Sequence, residues 1–408
     1  MAGSARQVMV LNTGSSSIKY QLFELAPASE AEAKVLVAGV LEGIGEESSK
    51  LTHRPAGGSA VTFEQPVADQ PAGFELIQKA FEASGGMPGE LAAIGHRVVH
   101  GGDRFSAPAL IDDAVVAAIE QLVPLAPLHN PSNLTGIRMA RRLYPDVPQV
   151  AVFDTAFHST MPATAYRYAL PAELTERLGI RRYGFHGTSH GYVSRQAAAH
   201  LGRPLTELKL ITLHLGNGAS VAAVDGGRSI DTSMGMTPLE GLVMGSRSGD
   251  LDPAVVLYLQ REGGLSVDEV DSLLNRGSGL KGLAGSNDVR RLSERAQAGE
   301  AVAEQALEIF AYRIRKYVGA YAVALGCLDG LVFTAGVGEN SSLIREMVCS
   351  GLGILGIQLD SGLNEKRDER TPDRPRLIST SQSRVSVLVV PTDEELEIAR
   401  QALELIDA

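Results

Sequence analysis

At 408 residues the chain is too long for one ordinary core, and two domains of about 150–200 residues are expected. A hydrophobic content of 44% and a charged content of 21% exclude a disordered chain. The net charge of -11 argues against a nucleic-acid partner, although a nucleotide would need only a few local donors.

Cys327 and Cys349 are too few for a disulfide framework, which predicts a reducing, cytoplasmic setting. Residues 1–7 carry no apolar h-region, so no secretion signal is expected. No apolar run approaches the ~20 residues that span a bilayer, and no membrane partner is expected.

In chain order, residues 8–11 and 19–25 read as strands around a turn at 12–17. Residues 43–58 read as irregular surface, being rich in charge, Gly and Pro. Residues 110–123 and 133–143 read as helices, and 150–154 as a short apolar strand. Two strands, 209–213 and 220–224, flank a second glycine turn, and Ala301–Leu325 has a long helical pattern. Gly330–Thr334 and 386–390 are buried-type strands, 364–376 reads as another surface loop, and a helix closes the chain. Strands alternating with helices predict an α/β fold.

The chain also repeats its logic. VLNTGSSSIKY (10–20) and TLHLGNGASVA (212–222) each read as strand, glycine turn, strand. VFDT (152–155) and VFTAGVG (332–338) are each an apolar strand ending in small residues. Two similar domains follow, facing each other across a cleft with both glycine turns pointing into it.

Three glycine elements could hold phosphates. Asn12-Thr13-Gly14-Ser15-Ser16-Ser17-Ile18-Lys19 combines turn N–H groups, hydroxyls and an ammonium, yet a Ser-rich hairpin turn can be only a turn. His214-Leu215-Gly216-Asn217-Gly218 permits close backbone approach, and Asn-Gly is also a common hairpin turn. Gly336-Val337-Gly338-Glu339-Asn340 stands between a strand and the helical pattern at 342–348. A Walker loop is absent.

Arg97 lies in the glycine-bounded run GHRVVHGG, and Arg247 in the small-residue loop GSRSGD. Each could be an ordinary ion pair, or a fork that offsets repulsion between two anions. His186 and His190 are four apart, but Gly187 stands where a zinc helix needs Glu, so a metal pair is not expected. His186 could donate to a phosphoryl group, whereas His190 fits a structural role. Asp154 follows a strand, and Asp393-Glu394-Glu395 opens the last helix, where acids can serve as caps or hold a divalent ion.

With these residues assembled, the sequence resembles the acetate kinase family. NTGSSSIK, GHRVVHGG, PLHNPSN, FDTAFH, YGFHGTSH, HLGNGAS, GSRSGDLDP and GVGEN occur in family order from Asn12 to Glu395. The resemblance implies a duplicated, actin-like (RNase H-like) α/β fold of two domains with the active site in the cleft between them. These would be residues 1–154, completed by 392–408, and residues 155–391, which would carry most of the nucleotide site. It implies a homodimer and direct in-line transfer from ATP to acetate, reversible from acetyl phosphate, with Mg2+ (or Mn2+) as cofactor.

By the same resemblance, Asn12 and Glu394 would lie at the metal. Arg97, Asp154, His186 and Arg247 would act on the reacting groups, with Arg97 also binding the carboxylate. Ser15, Ser17, Lys19, His214, Leu215, Gly216, Asn217, Gly218, Asp288, Val289, Arg290, Gly336, Val337, Gly338, Glu339 and Asn340 would hold ATP or ADP. Val99, Leu128, Phe185 and Pro238 would line the pocket for the substrate methyl. Two departures stand out: Asp393 replaces a frequent Asn, and residues 285–290 form a shorter segment than in some relatives.

Three rivals have distinct requirements. A propionate or butyrate kinase would share the chemistry and differ in pocket size. An actin-like or chaperone-like ATPase would need a partner-binding region, for which the short stretch after Glu395 is expected to leave no room. A sugar kinase would need a carboxylate base, which Asp154 could supply, and hydroxyl readers rather than paired cations.

Overall fold

The computed structural model describes residues 5–26, 33–87, 89–366 and 374–408. Two compact units emerge: Met1–Ala156 with Asp393–Ala408, and Phe157–Thr392.

The first unit contains β1 (Arg6–Thr13), β2 (Ser17–Leu25), β3 (Lys34–Glu42), β4 (Ser49–Pro55), β5 (Val61–Gln65), β6 (Leu91–Val98), β7 (Ala109–Leu110) and β8 (Gln149–Phe153). They form one sheet in the order β5-β4-β3-β2-β1-β6-β8-β7. Strands β1 to β5 run as an antiparallel meander, while β1, β6 and β8 are parallel. Their shared direction brings the C-terminal ends of β1, β6 and β8 to one edge.

Side-chain alternation divides the sheet cleanly. Met9, Leu11, Ile18, Tyr20 and Ile94 pack with Phe74 and Ile77 of helix Gln70–Ala83 and Ala140 of helix Asn130–Leu143. On the other parity, Val8, Val10, Ala93, Val150 and Val152 pack with Leu396, Ile398, Ala399 and Ala402 of the C-terminal helix, Glu394–Asp407. Gly95 is required under that helix, because a Cβ there would lie 2.7 Å from Ile398 Cγ2.

The second unit contains β9 (Lys209–Leu215), β10 (Ala219–Asp225), β11 (Arg228–Thr232), β12 (Gly330–Thr334), β13 (Arg376–Leu377) and β14 (Ser386–Val389), ordered β11-β10-β9-β12-β14-β13. Helix Gly187–Leu201 covers one face through Val193, Ala197 and Ala198, and helix Ala301–Leu325 packs against β9 and β10. The sequence β3-β2-β1-β6-β8 of the first sheet recurs as β11-β10-β9-β12-β14, with the same strand directions. The duplicated α/β fold implied by the sequence is therefore present.

The phase of the repeat differs from the sequence reading. VFTAGVG belongs to β12, whose topological counterpart is β6; the counterpart of VFDT in β8 is β14. The hairpin match of β1–β2 with β9–β10 stands. The C-terminal helix covers β1 and β6, as helix Gly187–Leu201 covers β9 and β12.

Other local readings also change. Residues 43–58 are not all loop, since β4 occupies Ser49–Pro55 with Ser49, Leu51 and His53 buried. GVGEN is helical (Ala335–Asn340) rather than a junction before a helix. In the expected loop 364–376, residues 367–373 lie outside the described residues, and Arg376 opens β13.

Candidate active site

In the first unit, alternation dictates what stands at the sheet edge. Asn12 continues the parity of Val8 and Val10, Arg97 that of Ala93 and Gly95, and Asp154 that of Val150 and Val152. Lys19 pairs directly with Asn12 across β1 and β2. All four thus lie on the face covered by the C-terminal helix, beyond its apolar contacts, where its first turn carries Glu394 and Glu395.

Arg97 makes a two-point ion pair with buried Asp154, Nε to Oδ1 at 3.0 Å and Nη2 to Oδ2 at 2.7 Å. Glu394 Oε2 lies 3.9 Å from Arg97 Nε. Burial opposes the Arg97 charge, but Asp154 and Glu394 more than offset it and hold the guanidinium above its ordinary value. Burial pushes the Glu394 carboxyl up; Arg97 and Lys19 counteract this, while Asp154 and Asp393 add to it. Glu395 is pushed up by burial and by Glu394. Asp393 has a separate task, capping the helix by accepting from Leu396 N at 2.9 Å.

The strand ends are braced by residues the motif PLHNPSN supplies. Asn133 donates to Thr13 O at 2.8 Å and accepts from Val99 N at 3.1 Å, tying β1 to β6. Asn130 accepts from His100 N and donates to His100 O, and Thr155 Oγ1 accepts from Gly101 N. Helix Asn130–Leu143 can approach this closely because Gly136 has no Cβ; one would lie 2.3 Å from Thr13 Oγ1. Ser15 and Lys19 are exposed and Ser17 is half-buried; Gly14 N donates to Ser17 O at 2.8 Å, closing their turn.

In the second unit, His186 is the residue before helix Gly187–Leu201 and has φ 56°, so His186 and His190 are not one helical pair. Its Nδ1 lies 2.9 Å from Ser220 Oγ, and its ring stacks on His214 at 4.1 Å. Fully buried His190 contacts Ser220 Oγ at 2.8 Å and Thr212 Oγ1 at 2.7 Å. His214 Nδ1 is 2.8 Å from Ser189 Oγ. A Cβ on Gly218 would lie 3.5 Å from both His186 Nε2 and Arg247 Nη1, an ordinary contact distance, so both groups border the space beside this glycine.

Arg247 is half-buried in the loop following Gly245. Its Nη1 donates to Pro238 O at 3.1 Å and approaches Met244 Sδ at 3.9 Å; among the described residues it has no carboxylate partner. Burial accordingly lowers its pKa from the ordinary value. Neighbouring Gly245 lies directly under the exposed Asn217 amide, whose Oδ1 would be 2.0 Å from a Cβ there and would have to swing aside.

A cavity of about 850 Å3 in this unit gathers Gly216, Asn217, Asp288, Val289, Arg290, Gly336, Val337 and Asn340. Three segments far apart in sequence thus reach one space, of a size that suits a nucleotide. Asn287, Ser293, Glu294, Gln297 and Leu343 also line it, without a motif to reveal them. His214, Leu215, Gly218, Gly338 and Glu339 do not. Glu339 instead accepts from Ala335 N at 2.8 Å and Thr392 N at 3.1 Å. Buried Arg345 holds the other end of this short helix, donating to Gly338 O and Glu339 O at 2.9 Å.

The four expected methyl-pocket residues divide between the units. Val99 is buried and Leu128 exposed in the first; Phe185 is buried and Pro238 half-buried in the second. Among the described residues no group of three or more His, Cys, Asp or Glu is arranged to hold a metal, and no helix is long and apolar enough to cross a membrane.

These units define a duplicated α/β protein of the actin-like type. The chain matches the acetokinase family over residues 7–400. It is 54% identical to the acetate kinase of Streptomyces coelicolor, over 99% of this chain and 98% of that one. The Porphyromonas gingivalis acetate kinase structure superposes with a TM-score of 0.90 at 43% identity, covering 98% of this chain and 100% of that one. A propionate kinase structure from Francisella tularensis gives 0.89 at 41% identity, covering 98% and 99%. The chain belongs to the acetokinase family.

Proposed function

We propose that the protein is an acetate kinase: an acetate oxygen attacks the γ-phosphorus of ATP in line, the bond to the bridging oxygen breaks, and acetyl phosphate and ADP leave. The observation that carries this reading is Arg247. A half-buried guanidinium with no carboxylate partner among the described residues, meeting His186 at Gly218, suits a visiting anion as its counterion. Arg247 and His186 then stabilise the transferring phosphoryl, and Arg97, oriented by Asp154, binds the acetate carboxylate.

The 850 Å3 cavity takes the nucleotide, with Gly216, Asn217, Asp288–Arg290, Gly336, Val337 and Asn340 around it. His214, Leu215, Gly218, Gly338 and Glu339 support those segments from outside the cavity. Ser15, Ser17 and Lys19 supply donors to the phosphates. Val99, Leu128, Phe185 and Pro238 limit the acid's length.

A divalent ion fits Asn12 and Glu394: both offer hard oxygen donors, and Glu394 stands among carboxylates whose mutual repulsion a cation relieves. Mg2+, which takes few protein ligands and keeps phosphate and water oxygens, matches this sparse set best. When bound it neutralises charge on the polyphosphate. The same proposal includes a cytoplasmic homodimer. Helix Pro253–Arg261 has no buried residue and exposes Val255, Leu257 and Tyr258, a surface that a second copy would cover.

The test is a substrate panel of formate, acetate, propionate and butyrate with ATP and Mg2+, with acyl phosphate trapped by hydroxylamine. Acetate should give the highest kcat/KM, and Arg247→Ala should lose about 10³–10⁵ in rate. No acyl hydroxamate from any acid would overturn the proposal; preference for propionate would favour the activity named for the Francisella tularensis relative.

A further inference from the structure

Four buried or half-buried side chains of the second unit form a chain of contacts: Thr212 Oγ1 to His190 Nδ1 at 2.7 Å, His190 Nε2 to Ser220 Oγ at 2.8 Å, and Ser220 Oγ to His186 Nδ1 at 2.9 Å. Thr212, His190 and Ser220 are each 0% exposed, so every donor among them must find its acceptor inside this chain. Two directions of donation are conceivable.

If His186 donated from Nδ1, Ser220 would donate to His190 Nε2 and His190 Nδ1–H would point at Thr212. The Thr212 oxygen would then accept from His190, and its own hydroxyl proton would need a second acceptor, which the described residues do not offer. In the opposite direction every group is matched. Thr212 donates to His190 Nδ1, His190 Nε2–H donates to Ser220 Oγ, and Ser220 donates to His186 Nδ1. A doubly protonated His190 would break this order; burial first, then the neighbouring His158 and His214, drive its pKa well down and keep it neutral.

We infer that Thr212, His190 and Ser220 form a one-way relay that fixes His186 as its Nε2–H tautomer, presenting a hydrogen-bond donor at Gly218 beside Arg247 Nη1. The inference rests on the proposed role of His186 toward the phosphoryl group. Thr212, His190 and Ser220 touch no reacting atom in this reading and are positioning residues. The αL backbone at His186 and the stack on His214 set where the ring lies. Arg247 is a charged group bordering the space at Gly218, and His190 reaches His186 through Ser220. What the relay adds is which nitrogen carries the proton. A neutral imidazole with the proton on Nδ1 would offer a lone pair to an anion instead of a donor.

The test reads the tautomer directly. Full-length protein labelled with 15N-histidine is observed by long-range 1H–15N NMR, and His186 is assigned by its loss in His186→Gln. The wild type should show Nε2 protonated and Nδ1 as an acceptor; protonated Nδ1 overturns the inference. Thr212→Val removes the relay's first donor at nearly equal volume, and Ser220→Ala removes its last. Each should mix the His186 tautomers and lower kcat about tenfold or more with KM for both substrates within about twofold. Thr212→Ser should keep the wild-type spectrum and rate. If Thr212→Val and Ser220→Ala leave the spectrum unchanged, there is no relay. If either fails to fold, the wild-type spectrum still decides the tautomer. The spectrum does not depend on turnover, so a wild type that locks Nε2–H yet forms no acyl phosphate would overturn the functional reading and leave the tautomer assignment standing.

Discussion

Arg97 of β6 and Asp154, the residue that follows β8, are joined by two hydrogen bonds of 3.0 and 2.7 Å that fix the plane of the guanidinium. A single bond would leave that plane free to rotate; two bonds aim the fork's remaining N–H groups.

Asp154→Asn keeps the size of the side chain but removes its charge and one acceptor oxygen. We expect kcat/KM for acetate to fall by about 10²–10³, since a misaimed donor at a reacting group costs that much. Arg97→Lys should be no better, because an ammonium cannot hold two oxygens at once. Steady-state kinetics check both; an Asp154→Asn enzyme within about threefold of wild type would reduce the pair to a structural brace.

Glu394 separates metal binding from helix capping, because Asp393 already caps. Glu394→Gln should leave thermal stability nearly unchanged while raising the Mg2+ concentration for half-maximal activity by about 10–100-fold. Excess chelator should stop turnover in both proteins. An unchanged Mg2+ titration would remove Glu394 from the metal site.

Val99 is buried next to the Arg97 strand, with its N–H fixed by Asn133. Val99→Ala should raise the propionate-to-acetate ratio of kcat/KM. One methylene in an apolar pocket is worth about 1–3 kcal/mol, so the wild type should discriminate by about 10–200-fold. The ratio is the measurement that counts, since lost stability lowers both rates alike. An unchanged ratio places Val99 away from the substrate tail.

Buried histidines make the fold sensitive to mild acid. Burial pushes His96 and His158 down to about 4, and His190 is also well below its ordinary value. Their unfolded value is near 6.5, so the unfolded chain binds more protons below that pH. Stability should be full above about pH 6.5 and lost progressively as pH falls toward about 4, by roughly 3 kcal/mol each for His96 and His158. Denaturant midpoints measured from pH 7.5 to 4.5 check this; a flat profile would mean these histidines take up protons equally in the folded and unfolded states.

How much of this was legible depends on whether alternation survives in the sequence. Around Asn12, Arg97 and Asp154 it does: Val or Ala at i−4, with Val or Gly at i−2, reveals the face on which each polar residue emerges. At β4 it is disguised, because the inward positions are Ser49, Leu51 and His53, and the polar His53 hydrogen-bonds Tyr20 Oη inside the core at 2.7 Å. GVGEN hid its helix for another reason. Glycine costs about 1 kcal/mol in a helix, and this one is held by Glu339 at one end and Arg345 at the other. Ser220 closes HLGNGAS and Thr212 lies two residues before it, but the string reads as a glycine turn between strands and assigns neither hydroxyl a partner. Their importance arises only where β9 and β10 pair and helix Gly187–Leu201 sets His190 between them.

The C-terminal helix closes one face of a sheet whose first strand begins at Arg6. During synthesis Val8, Val10, Ala93, Val150 and Val152 emerge early and wait without their cover while the 236 residues of the second unit are made. Phe157–Thr392 contains every strand of its own sheet and can fold as it appears. The second unit can therefore be complete before the first, although it begins later in the chain. The Arg97–Asp154 pair gains Glu394 only after Phe157–Thr392 has been made, so a chain that has reached Thr392 carries His186 and Arg247 but lacks the helix that carries Glu394.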